Sequence, residues 1–300
     1  MVPALLIGAA TQALIEDVFG RRGVFRQAQR ISRRVVAWGD RAETVEIPHS
    51  GVVLSEAELN RRLQAPLMDP AAEAPRWTIR TGASTEQQRF GSRMAGASRV
   101  RLRERSVDDA CWIESLENGW LFLLPAGSTS WLLSVGAPAE DLLARSRLVA
   151  AQILSCDSAS ARFPAYPRIS DPICGAGWLA CGNAAMAFDP ICGDGAGNAI
   201  REAILASAMI RAVARGEDVE ALLAHYRTRL TAGFLKHLKL CRQFYAACSG
   251  EWWTQELAYL DAGIAWCGAQ LGNEGGSECA FRYQLRGFEL EPISRAAQTL

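Results

Sequence analysis

Hydrophobic spacing changes register several times along the chain, and each change predicts an element. In Ala4–Val18 an apolar run is broken by Gln12, Glu16 and Asp17, with Pro3 before it and Gly20 after it. That pattern predicts an amphipathic helix with a proline start and a glycine stop. Ile31–Trp38 and Gly51–Leu54 read as strands, and Glu56–Leu63 as a short helix. Residues 65–76 carry prolines and alanines without a period and predict a loop. Ser98–Arg105 alternates apolar and charged residues, as a half-buried strand does. Ala110–Leu116, Trp120–Pro125 and Ser130–Gly136 are further strands; Asn118-Gly119 marks the turn between the first two and Pro125–Ser128 the next corner. The expectation is an antiparallel meander.

The second half reads mainly as helix. Residues 139–155 show leucines and alanines at helical spacing. A loop with Pro164, Pro167 and Pro172 leads into a short buried strand ending near Cys181. In Asn198–Arg215, Ile200, Ala203, Ile204, Ser207, Ala208 and Arg211 keep the 3.6-residue period, and Gly216 closes the helix. Asp218 caps a longer helix reaching Tyr245, and the segment beyond 250 is helical up to the glycines at 272–276.

Composition narrows the function classes. The chain has 300 residues, 49% hydrophobic and 21% charged, with zero formal net charge. A neutral balance argues against nucleic-acid binding, which needs a basic face. Arg99, Arg101, Arg103 and Arg105 share one face of a strand and read as a solvated sheet surface. No apolar stretch reaches the ~18 residues of a membrane span. The nine cysteines include no Cys-x-x-Cys pair. They read as small buried hydrophobes in a reducing compartment, so a cytoplasmic location is expected. His237 and Cys241 are four apart on a predicted helix but have no evident third ligand, so no metal is expected.

The segment Gly177–Asn198 carries the most chemistry. A strand runs into a small-residue turn at Gly182-Asn183-Ala184-Ala185, then into Asp189-Pro190-Ile191-Cys192-Gly193-Asp194-Gly195-Ala196-Gly197-Asn198 at a helix start. Glycine loops before a helix offer unpaired N–H groups and the positive end of a dipole to an electron-rich ligand. This segment resembles the second flavin-binding motif of FAD-dependent monooxygenases and tryptophan-halogenase-like flavoproteins. Glu114 to Trp131, the Arg201-Glu202-Ala203 helix and the stretch His225 to Tyr245 resemble the same group. The family's first motif, a strand running into Gly-x-Gly-x-x-Gly, has no counterpart, and the resemblance places Met1 beyond it.

The resemblance implies an α/β (α+β) fold: an incomplete, three-layer Rossmann-like FAD-binding domain with an inserted antiparallel substrate sheet and a helical C-terminal region. The implied division is residues 1–75 as the remnant of the FAD domain, 76–165 as the substrate sheet, 166–216 as the second FAD segment and 217–300 as the helical region. FAD is the implied cofactor. Gly182 and Asn183 would meet the ribityl chain, Asn183 standing where the family has Asp. Asp189, Pro190, Gly193, Asp194, Gly195, Ala196, Gly197 and Asn198 would form the loop at the flavin ring. The implied activity is a flavin-dependent, monooxygenase-like oxidation of an aromatic or amine-type substrate, free or peptide-borne, with a flavin reductant or reductase as partner. Two features disfavour halogenation: Asp194 would repel a halide, and the Trp-x-Trp-x-Ile-Pro signature is absent. Trp112, Trp120 and Trp131, one per meander strand, read either as sheet core or as an aromatic wall for the substrate. The alternative is a truncated, cofactor-free relative or an accessory protein that binds a partner polypeptide.

Overall fold

The computed structural model describes residues 3–41, 43–63, 77–82, 86–103, 108–127, 129–273 and 282–293. The predicted loop at 65–76 and Arg105 lie outside the described residues. The chain divides into two compact units. The first comprises residues 1–68, 91–166 and 242–258, and the second residues 69–90, 167–241 and 259–300.

The first unit is built on one large sheet. It begins with β1 (Leu5–Gly8), α1 (Ala9–Val18), β2 (Gln29–Ala37), β3 (Thr44–Leu54) and α2 (Glu56–Leu63). The expected N-terminal helix is thus half right: Leu5-Leu6-Ile7 pair antiparallel with Val52–Leu54 of β3. A run of three large apolar residues gains more by adding a strand to a buried sheet than by starting a helix, and the helix begins only after Gly8. In the second unit, β4 (Thr78–Arg80) and β5 (Gln87–Arg89) follow. The sheet of the first unit resumes with β6 (Met94–Leu102), β7 (Ala110–Leu116), β8 (Gly119–Ala126) and β9 (Thr129–Gly136). Then come α3 (Ala139–Arg145), β10 (Ile153–Cys156) and β11 (Ala161–Pro164). Strand order is β1-β3-β2-β7-β8-β9-β6-β10, with β11 also on β6. Within this sheet, among the described residues, only the β2–β7 pair is parallel; the meander β7-β8-β9 is antiparallel as its turns predicted.

The register assigns the faces. Trp112 pairs with Leu123, which pairs with Leu132. These residues share a core with Leu121, Val100, Leu142 and Val149. The predicted helix over 139–155 stops at Arg145 because Glu114, buried on this face, gathers the backbone N–H groups that follow. Its carboxylate accepts from Arg147 N (2.9 Å), Leu148 N (3.2 Å) and Val149 N (2.9 Å). Trp120 and Trp131 stand on the opposite face, since Trp120 pairs with Ser115 and Val135, and Trp131 with Leu124. There Trp120 donates to Tyr245 Oη (3.2 Å), and Trp253 Nε1 donates to the Leu116 carbonyl (2.9 Å). Trp38, Trp252 and Phe244 complete this aromatic cluster. A fully buried Arg93–Glu256 ion pair lies in the same unit. Glu256 also accepts from Ser92 N (3.1 Å) and Ser92 Oγ (2.9 Å), and the guanidinium sits 4.8 Å from the Tyr245 ring centre.

The second unit carries three small sheets. β12 (Arg168–Ser170), β13 (Cys174–Gly175), β14 (Trp178–Ala180) and β15 (Met186–Ala187) assemble with the earlier short strands as β15-β12-β5 and β13-β14-β4. Helices α4 (Gly195–Ala214), α5 (Val219–Tyr245) and α6 (Glu251–Asn273) follow, and the hairpin β16 (Tyr283–Arg286) and β17 (Glu289–Pro292) ends the described chain. Residues 219–241 of α5 and 259–273 of α6 belong to this unit. Asp218 caps α5 as expected, accepting from Glu220 N (2.9 Å). The hairpin was not predicted, although apolar Tyr283, Leu285, Phe288 and Leu290 alternate with polar residues around Gly287, which turns left-handed at φ +57°. Among the described residues, no helix is long and apolar enough to cross a membrane.

Candidate functional site

The glycine-rich segment folds within the second unit as a chain of tight turns. β14 ends at Ala180, and Cys181 leads into a 3-10 turn at Gly182–Ala184. Gly182 has φ +57°, a left-handed conformation that glycine adopts without penalty. Its N–H donates to Glu202 Oε2 on α4 (2.7 Å). Glu202 is buried, and among the described residues its second oxygen has no hydrogen-bond partner. Burial therefore pushes its carboxyl up to about 7, against the opposing pull of the Gly182 N–H. Asn183 is exposed beside it, with its carbonyl accepting from Gln87 Nε2 (3.4 Å).

The second half of the segment shapes a helix N-terminus. Asp189 is buried, and its side chain accepts from Ile191 N (2.9 Å), which caps a 3-10 turn started by Pro190. The Asp189 backbone N–H is aimed at His237 Nε2 (2.9 Å) on α5. Gly193 then turns left-handed at φ +64°, and α4 begins at Gly195. No side chain caps α4 and no acidic residue lies in its first turn. The N–H groups of Gly195, Ala196 and Gly197 precede the first helical bond, Asn198 N to Asp194 O (3.0 Å), and so have no partner within the helix; Gly195 is exposed and Gly197 buried. Among the described residues, nothing outside the neighbouring turn of the chain lies within 4 Å of where a Gly195 side chain would stand.

Asp194 differs from its sequence-level reading. Its carboxylate is paired with Arg201 Nη1 (2.8 Å), which also reaches Asn198 Oδ1 (3.2 Å). A neighbouring cation reduces the field that would repel a halide, so Asp194 alone does not disfavour halogenation. The three tryptophans do not make one wall. Trp112 is in the core on the face of the large sheet opposite to Trp120 and Trp131. Trp131 is half-buried with Arg99 5.6 Å from its ring centre. His225 is buried against Tyr283, and burial lowers it to about 4.

Sequence reasoning missed one grouping. Cys192, at the end of the capped 3-10 turn, meets His237 and Cys241 of α5, all donor atoms lying within 4.8 Å of one another. Helical spacing reveals the pair His237 and Cys241, but Cys192 arrives through tertiary structure from 45 or more residues upstream.

The fold is the mixed α/β fold of FAD-dependent halogenases and monooxygenases. Peptidyl tryptophan dihydroxylase QhpG, essential for tryptophylquinone cofactor biogenesis, superposes with a TM-score of 0.67 at 16% identity, over 98% of this chain and 78% of that one. The flavin-dependent halogenase CmlS gives 0.64 at 14% identity, over 87% of this chain and 63% of that one. Klebsiella pneumoniae HpxO, in complex with FAD and uric acid, gives 0.58 at 14% identity, over 91% of this chain and 86% of that one. No protein-family model matches the sequence, and no curated protein matches it.

Proposed function

We propose that this chain is an FAD-dependent oxidoreductase of the monooxygenase-like kind. The observation that carries the reading is the open N-terminus of α4, with glycines at 193, 195 and 197, in a chain with this fold. The Gly195, Ala196 and Gly197 N–H groups would receive the electron-rich N1–O2 edge of the flavin, and the helix dipole would favour negative charge there. Asp189 and Pro190 would hold the loop in shape, while Gly193, Asp194 and Asn198 set its path into the helix. Gly182 and Asn183 would lie along the ribityl chain, with the Asn183 amide hydrogen-bonding a hydroxyl. When bound, the flavin supplies the redox reactivity, and electrons would come from an external reductant or reductase.

The domain plan that goes with this reading takes residues 1–75 as the remnant of the FAD-binding domain, 76–165 as the substrate sheet, 166–216 as the second FAD-binding segment and 217–300 as the helical region. The substrate is an aromatic or amine-type group, small or carried on a peptide; the tryptophan-modifying neighbour in fold supports the peptide-borne form. Trp131, half-buried on its sheet face, is the proposed aromatic contact, while Trp112 and Trp120 are both buried and serve the packing of the two faces. The test is reconstitution: the purified chain is mixed with FAD, desalted and assayed for oxygen uptake and for halogenated or oxygenated products. A chain that retains no flavin at any FAD concentration supports the cofactor-free accessory reading instead.

A further inference from the structure

The capped turn before α4 puts a half-buried thiol against a buried one. Cys192 Sγ is 3.6 Å from Cys241 Sγ, which is 3.3 Å from His237 Nε2. Cys241 is fully buried, whereas Cys192 is partly open to solvent. We propose that Cys192 and Cys241 form a peroxide-reactive dithiol that closes to a reversible disulfide. The assignment rests on these two thiols and does not depend on flavin binding.

The surroundings favour a nucleophilic Cys192. The Cys241 S–H first, and then the His237 ring, hold the Cys192 thiol well below the usual thiol range despite its burial. Burial pushes Cys111, Cys156, Cys181, Cys248 and Cys267 the other way. The groups facing Cys192 are Asp189 on its own turn and His237 and Cys241 on α5. The backbone N–H of Asp189 makes His237 Nε2 an acceptor. A metal ion bound at that nitrogen would have to displace this bond, whereas the two sulfurs can join without doing so. A disulfide needs S–S contact at about 2.05 Å, so the sulfurs must approach by about 1.6 Å.

The chemistry balances with hydrogen peroxide as oxidant. The Cys192 thiolate attacks one peroxide oxygen; an S–O bond forms, the O–O bond breaks, and hydroxide leaves and takes a proton to become water. Cys241 sulfur then attacks Cys192 sulfur. The S–S bond forms, the S–O bond breaks, and the departing hydroxide takes the Cys241 proton as a second water. Two thiols are oxidised to one disulfide and one peroxide is reduced to two waters.

The test treats the reduced full chain with hydrogen peroxide, alkylates the remaining thiols and maps the peptides by mass spectrometry. The expected result is a Cys192–Cys241 cross-linked peptide that thiol reductant reverses, with free Cys192 lost at least about tenfold faster than free Cys156. A Cys241→Ser chain should instead hold Cys192 as a sulfenic acid that dimedone traps. If that variant does not fold, the peptide map of the unmutated chain is decisive by itself. Absence of the cross-link, or equal oxidation of Cys192 and Cys156, overturns the proposal. So does stoichiometric zinc in the purified chain that shields both thiols, which would make the trio a metal site.

Discussion

Glu202→Gln should change how stability depends on pH, and the size of the change follows from the burial of the side chain. Folding raises the Glu202 carboxyl from an ordinary 4.5 to about 7, because burial disfavours the charged form. At about 1.4 kcal/mol per factor of ten in proton affinity, that rise is worth at most about 3 kcal/mol. The sign is set by which state holds the proton. Below 4.5 both folded and unfolded chains are protonated, and the stabilisation is fully present. Between 4.5 and about 7 the unfolded chain has lost its proton and the folded chain has not, so stability falls as pH rises. Glutamine keeps an acceptor for the Gly182 N–H and cannot ionise. Urea unfolding of both chains at about pH 5 and pH 8 should show the variant gaining on the parent by up to about 3 kcal/mol at the higher pH. A constant difference across the two pH values would refute this, because it would mean that Glu202 ionises as freely in the folded chain as in the unfolded one.

Glu256→Ala leaves the Arg93 guanidinium buried without its carboxylate and should cost about 3–5 kcal/mol in denaturant unfolding; a loss below about 1 kcal/mol would show that the pair is hydrated. Asn183→Asp should tighten FAD binding in a fluorescence titration, since a carboxylate makes a stronger, charge-assisted bond to a hydroxyl; unchanged or weaker affinity counts against placing Asn183 at the ribityl chain. Iodoacetamide should alkylate Cys192 at a steady rate down to neutral pH, whereas an ordinary thiol slows below about pH 8.5; parallel profiles for Cys192 and Cys156 would contradict the lowered Cys192 affinity for its proton.

Local signals were enough for much of the fold. The meander β7-β8-β9 was legible because Asn118-Gly119 and the corner at Ala126-Gly127 mark hairpins between alternating strands. The glycine loop, the strand before it and α4 were legible from small residues and a clean helical period. What escaped depended on contacts distant in sequence. Leu5–Gly8 becomes a strand only because β3 offers an edge, and the helix after Pro138 ends at Arg145 because Glu114 captures the next N–H groups. At the site, nothing local distinguishes Cys192 from a buried spectator, since Cys241 lies 49 residues on. Alternation along β7, β8 and β9 could have separated Trp112 from the other two tryptophans, but only once the register was known.

The central claim is that the loop from Gly182 to Asn198 receives a flavin. The visible absorption spectrum of the full chain, recorded after incubation with FAD and desalting, tests it most directly. A retained flavin band that weakens when Gly195 is replaced by a bulky residue such as valine is the predicted result, because a side chain there would occupy the open approach to α4. A colourless chain, or a band indifferent to that substitution, would contradict the placement.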